Sequence, residues 1–144
     1  MGAWGPESCS SDACWDLMHS IPDIHKPQQR HVEKCMHDVL RAEACSFYPR
    51  ARFGVVVWLL DHGMIVPDKY LAWAEQEGEC LIDLFTHDED RDSDRVPILE
   101  QELEIVRAAR ANGGKGVGRK VKGLFDRIND AVASGTPGLV NQPA

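Results

Sequence analysis

The stretch FGVVVWLLDHGMIVP, residues 53–67, constrains this chain more than any other, because its first eight positions carry no charge and leave no polar side. Such a segment has to be surrounded by other elements. Two conformations compete for it. The valines at 55–57 favour a strand, and Asp61-His62-Gly63 would suit a hairpin turn, whereas Arg50-Ala51-Arg52 before it and Gly63 after it suit a helix with a glycine at its carboxyl end. A hairpin near 55–66 would have a second strand of only Met64 to Val66, and nothing else in the chain offers strands to pair with it. The helix is the preferred reading.

Helical spacing recurs on both sides. Cys14, Leu17, Met18 and Ile21 mark a first helix over 13–21, with Ser10, Ser11 and Asp12 as candidate caps. A second begins near Pro27 and carries Val32, Cys35, Met36, Val39, Leu40 and Phe47. Pro67 and Asp68 start another, whose face is Tyr70, Leu71, Ala74, Leu81, Leu84 and Phe85, with Gly78 a weak point worth about 1 kcal/mol relative to Ala. Pro97 opens a helix with Leu99, Leu103, Val106 and Ala109 or Arg110 on one side, ended by Asn112 and Gly113. After a glycine-rich connector, Val121, Leu124, Phe125, Ile128 and Val132 mark the last. The expectation is an all-α compact bundle of five to six helices over 1–134, followed by a disordered tail over 135–144. Trp4 and Trp15 then serve to pin the leading helix to the bundle, Gly2 and Gly5 letting Trp4 tuck in.

The amino terminus, Met1-Gly2-Ala3-Trp4-Gly5 with Asp12-Ala13 and Trp15-Asp16-Leu17, resembles a family of small bacterial proteins classed as a domain of unknown function. Its members open MGxWG and continue with an acidic or amide pair, Ala, and Asp-Trp-Leu. Here the pair reads Ser11-Asp12 and the Asp-Trp order is reversed, and the likeness covers residues 1–20. It implies a small helical intracellular protein and carries over no activity.

Charge is unevenly distributed. The net charge is -7, yet residues 75–104 hold twelve acidic groups against Arg91 and Arg95, while residues 105–144 hold seven basic and two acidic groups. Either two faces of one domain meet through these charges, or they present surfaces to a partner. An acidic chain of this kind is a poor candidate for general nucleic-acid binding. It has no apolar run long enough for a membrane span and no signal-like leader, so the cytoplasm is the expected compartment. Five scattered cysteines without a CxxC pair read as reduced, packed thiols.

Chemistry-bearing constellations are few. His31 and Cys35 lie at i and i+4 with Asp38 one turn on, the spacing of a metal site that His19 or His25 would complete. Asp88, Asp90, Asp92 and Asp94 alternate like calcium-loop ligands, but Ser93 stands where the turn needs glycine and Leu99 where it needs glutamate, leaving a solvated acidic loop. The GGKGVGRK stretch lacks the Lys-Ser/Thr of a phosphate loop, and Lys115, Arg119, Lys120 and Lys122 read as a basic patch for an anion or an acidic partner surface. Asp61-His62 is an orienting pair at a pocket rim at most, and no GxSxG or HExxH stretch occurs.

The favoured function is therefore a non-enzymatic module, of inhibitor or immunity type, that needs no cofactor and docks on another protein through the charged surfaces. A metal-dependent enzyme or metal-binding protein using His31, Cys35 and Asp38 is the alternative, and a homo-oligomeric structural protein a third.

Overall fold

A computed structural model of the chain describes residues 7–43, 49–87 and 95–116. Among these the order is α1 (Asp12–Asp16), a 3-10 turn (Gln29–His31), α2 (Val32–Arg41), α3 (Ala51–Asp61), α4 (Asp68–Thr86) and α5 (Val96–Ala111). The described residues contain no strand, and an isolated antiparallel bridge joins Ile65 and Lys115. The chain folds as an all-α bundle.

The apolar stretch is the axis of that bundle. It forms α3, in which Phe53, Val55, Val56, Val57, Leu59 and Leu60 are all buried, and α3 packs against each of the other four α-helices. The hairpin alternative gives way: full enclosure outweighs the strand preference of the valines, which reflects fit to a half-buried pleated surface. The Asp61-His62-Gly63 triplet closes the helix, His62 and Gly63 donating backbone N–H groups to the carbonyls of Trp58, Leu59 and Leu60, with Gly63 at φ 80°.

Several expected boundaries shift. The first helix is shorter than 13–21: Ser11 Oγ caps it by accepting from Cys14 N at 3.1 Å, and turns replace the helix after Asp16. Cys14, Met18 and Ile21 reach the core in either arrangement, so their spacing could not distinguish the two. The second helix starts after the 3-10 turn, not near Pro27. Val32, Cys35, Met36 and Val39 are buried as expected, whereas Leu40 faces solvent and Phe47 lies outside the described residues. On α4 the buried stripe is Ala74, Gly78, Leu81 and Phe85, and Leu84, about 100° round the helix from Phe85, is 53% exposed. Trp15 is no core anchor either, being 39% exposed, and Trp4 lies outside the described residues, as do the helix expected over 119–132 and the tail 135–144.

Two glycines set helix approach. A Cβ on Gly78 would stand 2.8 Å from the Phe53 ring and 3.0 Å from a Leu103 methyl, so the residue expected to be a weak point is where α4 closes on α3 and α5. A Cβ on Gly54 would stand 2.5 Å from the Ser8 carbonyl oxygen and 2.8 Å from Cys9 N, which fixes the amino-terminal segment on α3 backbone to backbone. Polar clamps tie the periphery. The Gln29 side chain brackets the Ile65 backbone, donating to its carbonyl and accepting from its N–H at 2.7 Å each, and Tyr70 Oη donates to Glu33 at 2.7 Å between α4 and α2. Arg52 on α3 donates to the Ala42 carbonyl closing α2 and to Glu77 on α4, with its guanidinium 5.5 Å from the Trp73 ring centre.

Gly54→Ala is expected to lower stability by about 1–3 kcal/mol, the typical cost of inserting a methyl into a site with no room. Chemical denaturation measures it. An unchanged midpoint would mean that residues 8 and 9 do not rest on α3.

Candidate functional site

The acidic and basic segments meet in part within the fold. Helices α4 and α5 run antiparallel, and the first turn of α4 faces the last turn of α5. Arg110 forks onto Asp68 at 3.0 and 3.2 Å and reaches Glu75 at 3.0 Å, while Arg107 reaches Glu75 at 3.2 Å and Glu79 at 2.7 Å. The hydrogen bond and charge of Arg110 hold the Asp68 carboxyl below its usual range, and Arg110 followed by Arg107 does the same for Glu75. Two of the seven basic groups beyond residue 104 are thus committed to the molecule's own acids.

The remaining charge sorts by face. A groove of about 370 Å³ runs between α4 and α5 over Ile82 and Leu103, with Glu79, Glu100 and Glu104 on its walls and Arg107 at one end. Glu100 and Glu104, at i and i+4, are both exposed. Of the sequence-derived docking residues only Lys115 is described: it is exposed beside the Ile65 bridge, and its carbonyl accepts from Asn112 Nδ2 at 3.1 Å. Asp88, Asp90, Asp92, Asp94, Arg119, Lys120 and Lys122 lie outside the described residues.

His31, Cys35 and Asp38 are not brought together as a ligand set. No group of three or more His, Cys, Asp or Glu suited to holding a metal ion occurs among the described residues. Cys35 is fully buried in the apolar stripe, and burial pushes its thiol up to about 11, which keeps it protonated at neutral pH. Asp38 instead joins a surface cluster: Lys34 Nζ donates to it at 3.0 Å and His19 Nε2 lies 3.5 Å away, and the Lys34 hydrogen bond is the main reason its carboxyl sits below the ordinary range. His31 ends the 3-10 turn, its Nδ1 buried without a hydrogen-bond partner.

The feature missed in the sequence is Glu102. It lies within the acidic stretch, yet it is 1% exposed and its two oxygens accept from Ser8, Oε2 from the backbone N–H at 3.0 Å and Oε1 from the hydroxyl at 2.5 Å. The signal was present in the helical phase, since Ile98, Glu102, Ile105 and Ala109 form one buried row of α5. Glu102 is one of the residues lining a cleft of about 250 Å³ between the amino-terminal segment and the end of α3. Trp15, Val57, Trp58, Asp61 and His62 line it together with Glu7, Cys9 and Ser10. His62 stacks on Trp58 at 4.0 Å between ring centres and 28° between planes. Its Nδ1 lies 2.8 Å from the Trp58 carbonyl; because a carbonyl only accepts, that nitrogen carries the hydrogen. Asp61 and His62 therefore share the cleft, with the imidazole oriented by Trp58.

The pairing of Asp68 and Glu75 has a sign in pH. Their folded-state values lie below the unfolded ones, so the contribution is full at neutral pH and is lost as pH falls through the depressed values. Arg110→Ala is expected to flatten the acid limb of the stability profile between about pH 5 and about pH 2 relative to the parent chain. Urea denaturation at a series of pH values measures it; parallel profiles would refute the pairing.

Comparison with protein-family models, with curated proteins and with solved structures found no match for this chain.

Proposed function

We propose that the protein is a non-enzymatic docking module that receives a basic segment of another protein in the groove between α4 and α5. The observation that carries this reading is the groove itself, lined by Ile82 and Leu103 and by the exposed carboxylates of Glu100 and Glu104, while its arginine, Arg107, is already held by Glu75 and Glu79. Apolar lining supplies area for burial, and carboxylates of one sign supply steering and register. The partner that complements it is a helical or extended segment with Lys or Arg flanking an apolar residue. An inhibitor or immunity-type role is one that such a module can serve. No helix among the described residues is long and apolar enough to cross a membrane.

A fluorescent peptide with lysines and arginines around leucines at helical spacing is the test. Its affinity is expected to fall by about tenfold or more when salt rises from about 0.05 to about 0.3 M, because screening acts on exposed charge. Glu100→Gln with Glu104→Gln should weaken binding at low salt by a similar factor and leave the melting temperature unchanged. Binding that is indifferent to salt and to both substitutions would overturn the reading.

A further inference from the structure

Three free thiols lie close together although they come from three parts of the chain: Cys9 from the amino-terminal segment, Cys14 from α1 and Cys35 from α2. Cys14 and Cys35 are fully buried, whereas Cys9 is half-buried and lines the cleft beside α3. Of the three, Cys9 is therefore the one a dissolved molecule can reach. The backbone around it is anchored. Residues 8 and 9 rest on Gly54 with no room for a methyl between, and Ser8 is tied to Glu102 by two hydrogen bonds. The Ser10 N–H turns back to the Glu7 carbonyl at 3.0 Å, and Ser11 caps α1 through the Cys14 N–H. Within that frame the Cys9 and Cys14 side chains meet in a hydrogen bond, and burial followed by this bond holds the Cys14 thiol well above its ordinary value. A hydrogen bond that raises a thiol in this way favours its protonated form, so Cys14 is the donor and the Cys9 sulfur the acceptor. Cys35 acts on the other two through charge alone.

We propose that Cys9 and Cys14 are a reversible redox pair, oxidised by hydrogen peroxide to a disulfide that clips the amino-terminal segment to α1. The Cys9 sulfur attacks one peroxide oxygen, the O–O bond breaks, one water leaves with the thiol proton, and Cys9 becomes a sulfenic acid. Cys14 then attacks the sulfenic sulfur. The S–S bond forms, the S–O bond breaks, and the Cys14 proton leaves with the hydroxyl as a second water. Two thiols and one hydrogen peroxide thus give one disulfide and two waters, and a dithiol reductant reverses the change. A buried, protonated thiol is a slow nucleophile in general. Here two features of the pair offset that. The thiols already touch, so capture of the sulfenic acid is intramolecular, and the Cys14 hydrogen points at the sulfur from which the hydroxyl departs. The modification is independent of the α4–α5 groove and of what binds there.

The test uses the full chain, reduced and then exposed to hydrogen peroxide, followed by alkylation with iodoacetamide, trypsin digestion and mass spectrometry. Trypsin leaves Cys9 and Cys14 together on the peptide ending at Arg30, because Pro27 protects the bond after Lys26. That peptide is expected to become lighter by two hydrogen atoms, to resist alkylation, and to regain both thiols in dithiothreitol. Cys80, which is exposed, serves as the control that the oxidant has acted. Cys9→Ser should abolish the loss of two hydrogens, and Cys80→Ser should leave it unchanged. Cys14→Ala should raise labelling of Cys9 by the sulfenic-acid trap dimedone by about tenfold or more, since the neighbouring thiol no longer captures the intermediate. The measurement on the parent chain stands without the core variant. A peptide that keeps both thiols while Cys80 is oxidised, a Cys9 that proceeds to sulfinic acid with Cys14 still free, or a disulfide from Cys14 to Cys35 would overturn the proposal.

Discussion

Everything in this fold follows from one helix that has no polar side. Between Arg52 and Asp61, helix α3 is apolar around its circumference, and α1, α2, α4 and α5 all pack against it as the enclosure it requires. That enclosure explains why Gly54 and Gly78 stand where they do. Each removes a side chain at a point where a neighbouring backbone or ring must come within van der Waals distance of another element. Close approach increases the dispersion contacts that a packed interior depends on.

Enclosure also forces polar groups inward, and the chain handles them by pairing across elements. Glu102 is buried because its helical phase places it on the core side of α5, and the amino-terminal segment answers with two donors from one serine. An unanswered buried carboxylate would be strongly destabilising. Arg52 plays the corresponding part at the other end, its half-buried guanidinium reaching Glu77, the end of α2 and the face of Trp73. These cross-element bonds fix the register of helices whose apolar contacts alone would tolerate sliding.

The helices were legible in the sequence wherever periodicity ran for eight residues or more. Residues 32–39, 70–85 and 99–109 declared their buried faces with few errors, because spacing at 3.6 residues records which side a helix turns inward. Leu84 and Leu40 mark the limit: an apolar residue at the margin of a stripe is indistinguishable in sequence from one inside it. The site was less legible. Its residues come from 7–15, 57–62 and 102, and nothing local in any one of these segments announces the others. His31, Cys35 and Asp38 show the converse, where good local spacing met a packed thiol and a surface ion cluster.

Charge is where sequence and structure diverge most instructively. The stretch 75–104 reads as one acidic block, but the turn of the helices deals its members to different environments. Glu75 and Glu79 neutralise arginines of α5, Glu102 enters the core, and Glu100 and Glu104 remain on the groove wall. Two residues separate Glu100 from Glu102 and Glu102 from Glu104, and a displacement of two residues is a little over half a helical turn. Alternate positions therefore face opposite ways. Glu100 and Glu104 face the groove and solvent, whereas Glu102 faces the amino-terminal segment, so a single run of glutamates serves both the surface and the interior.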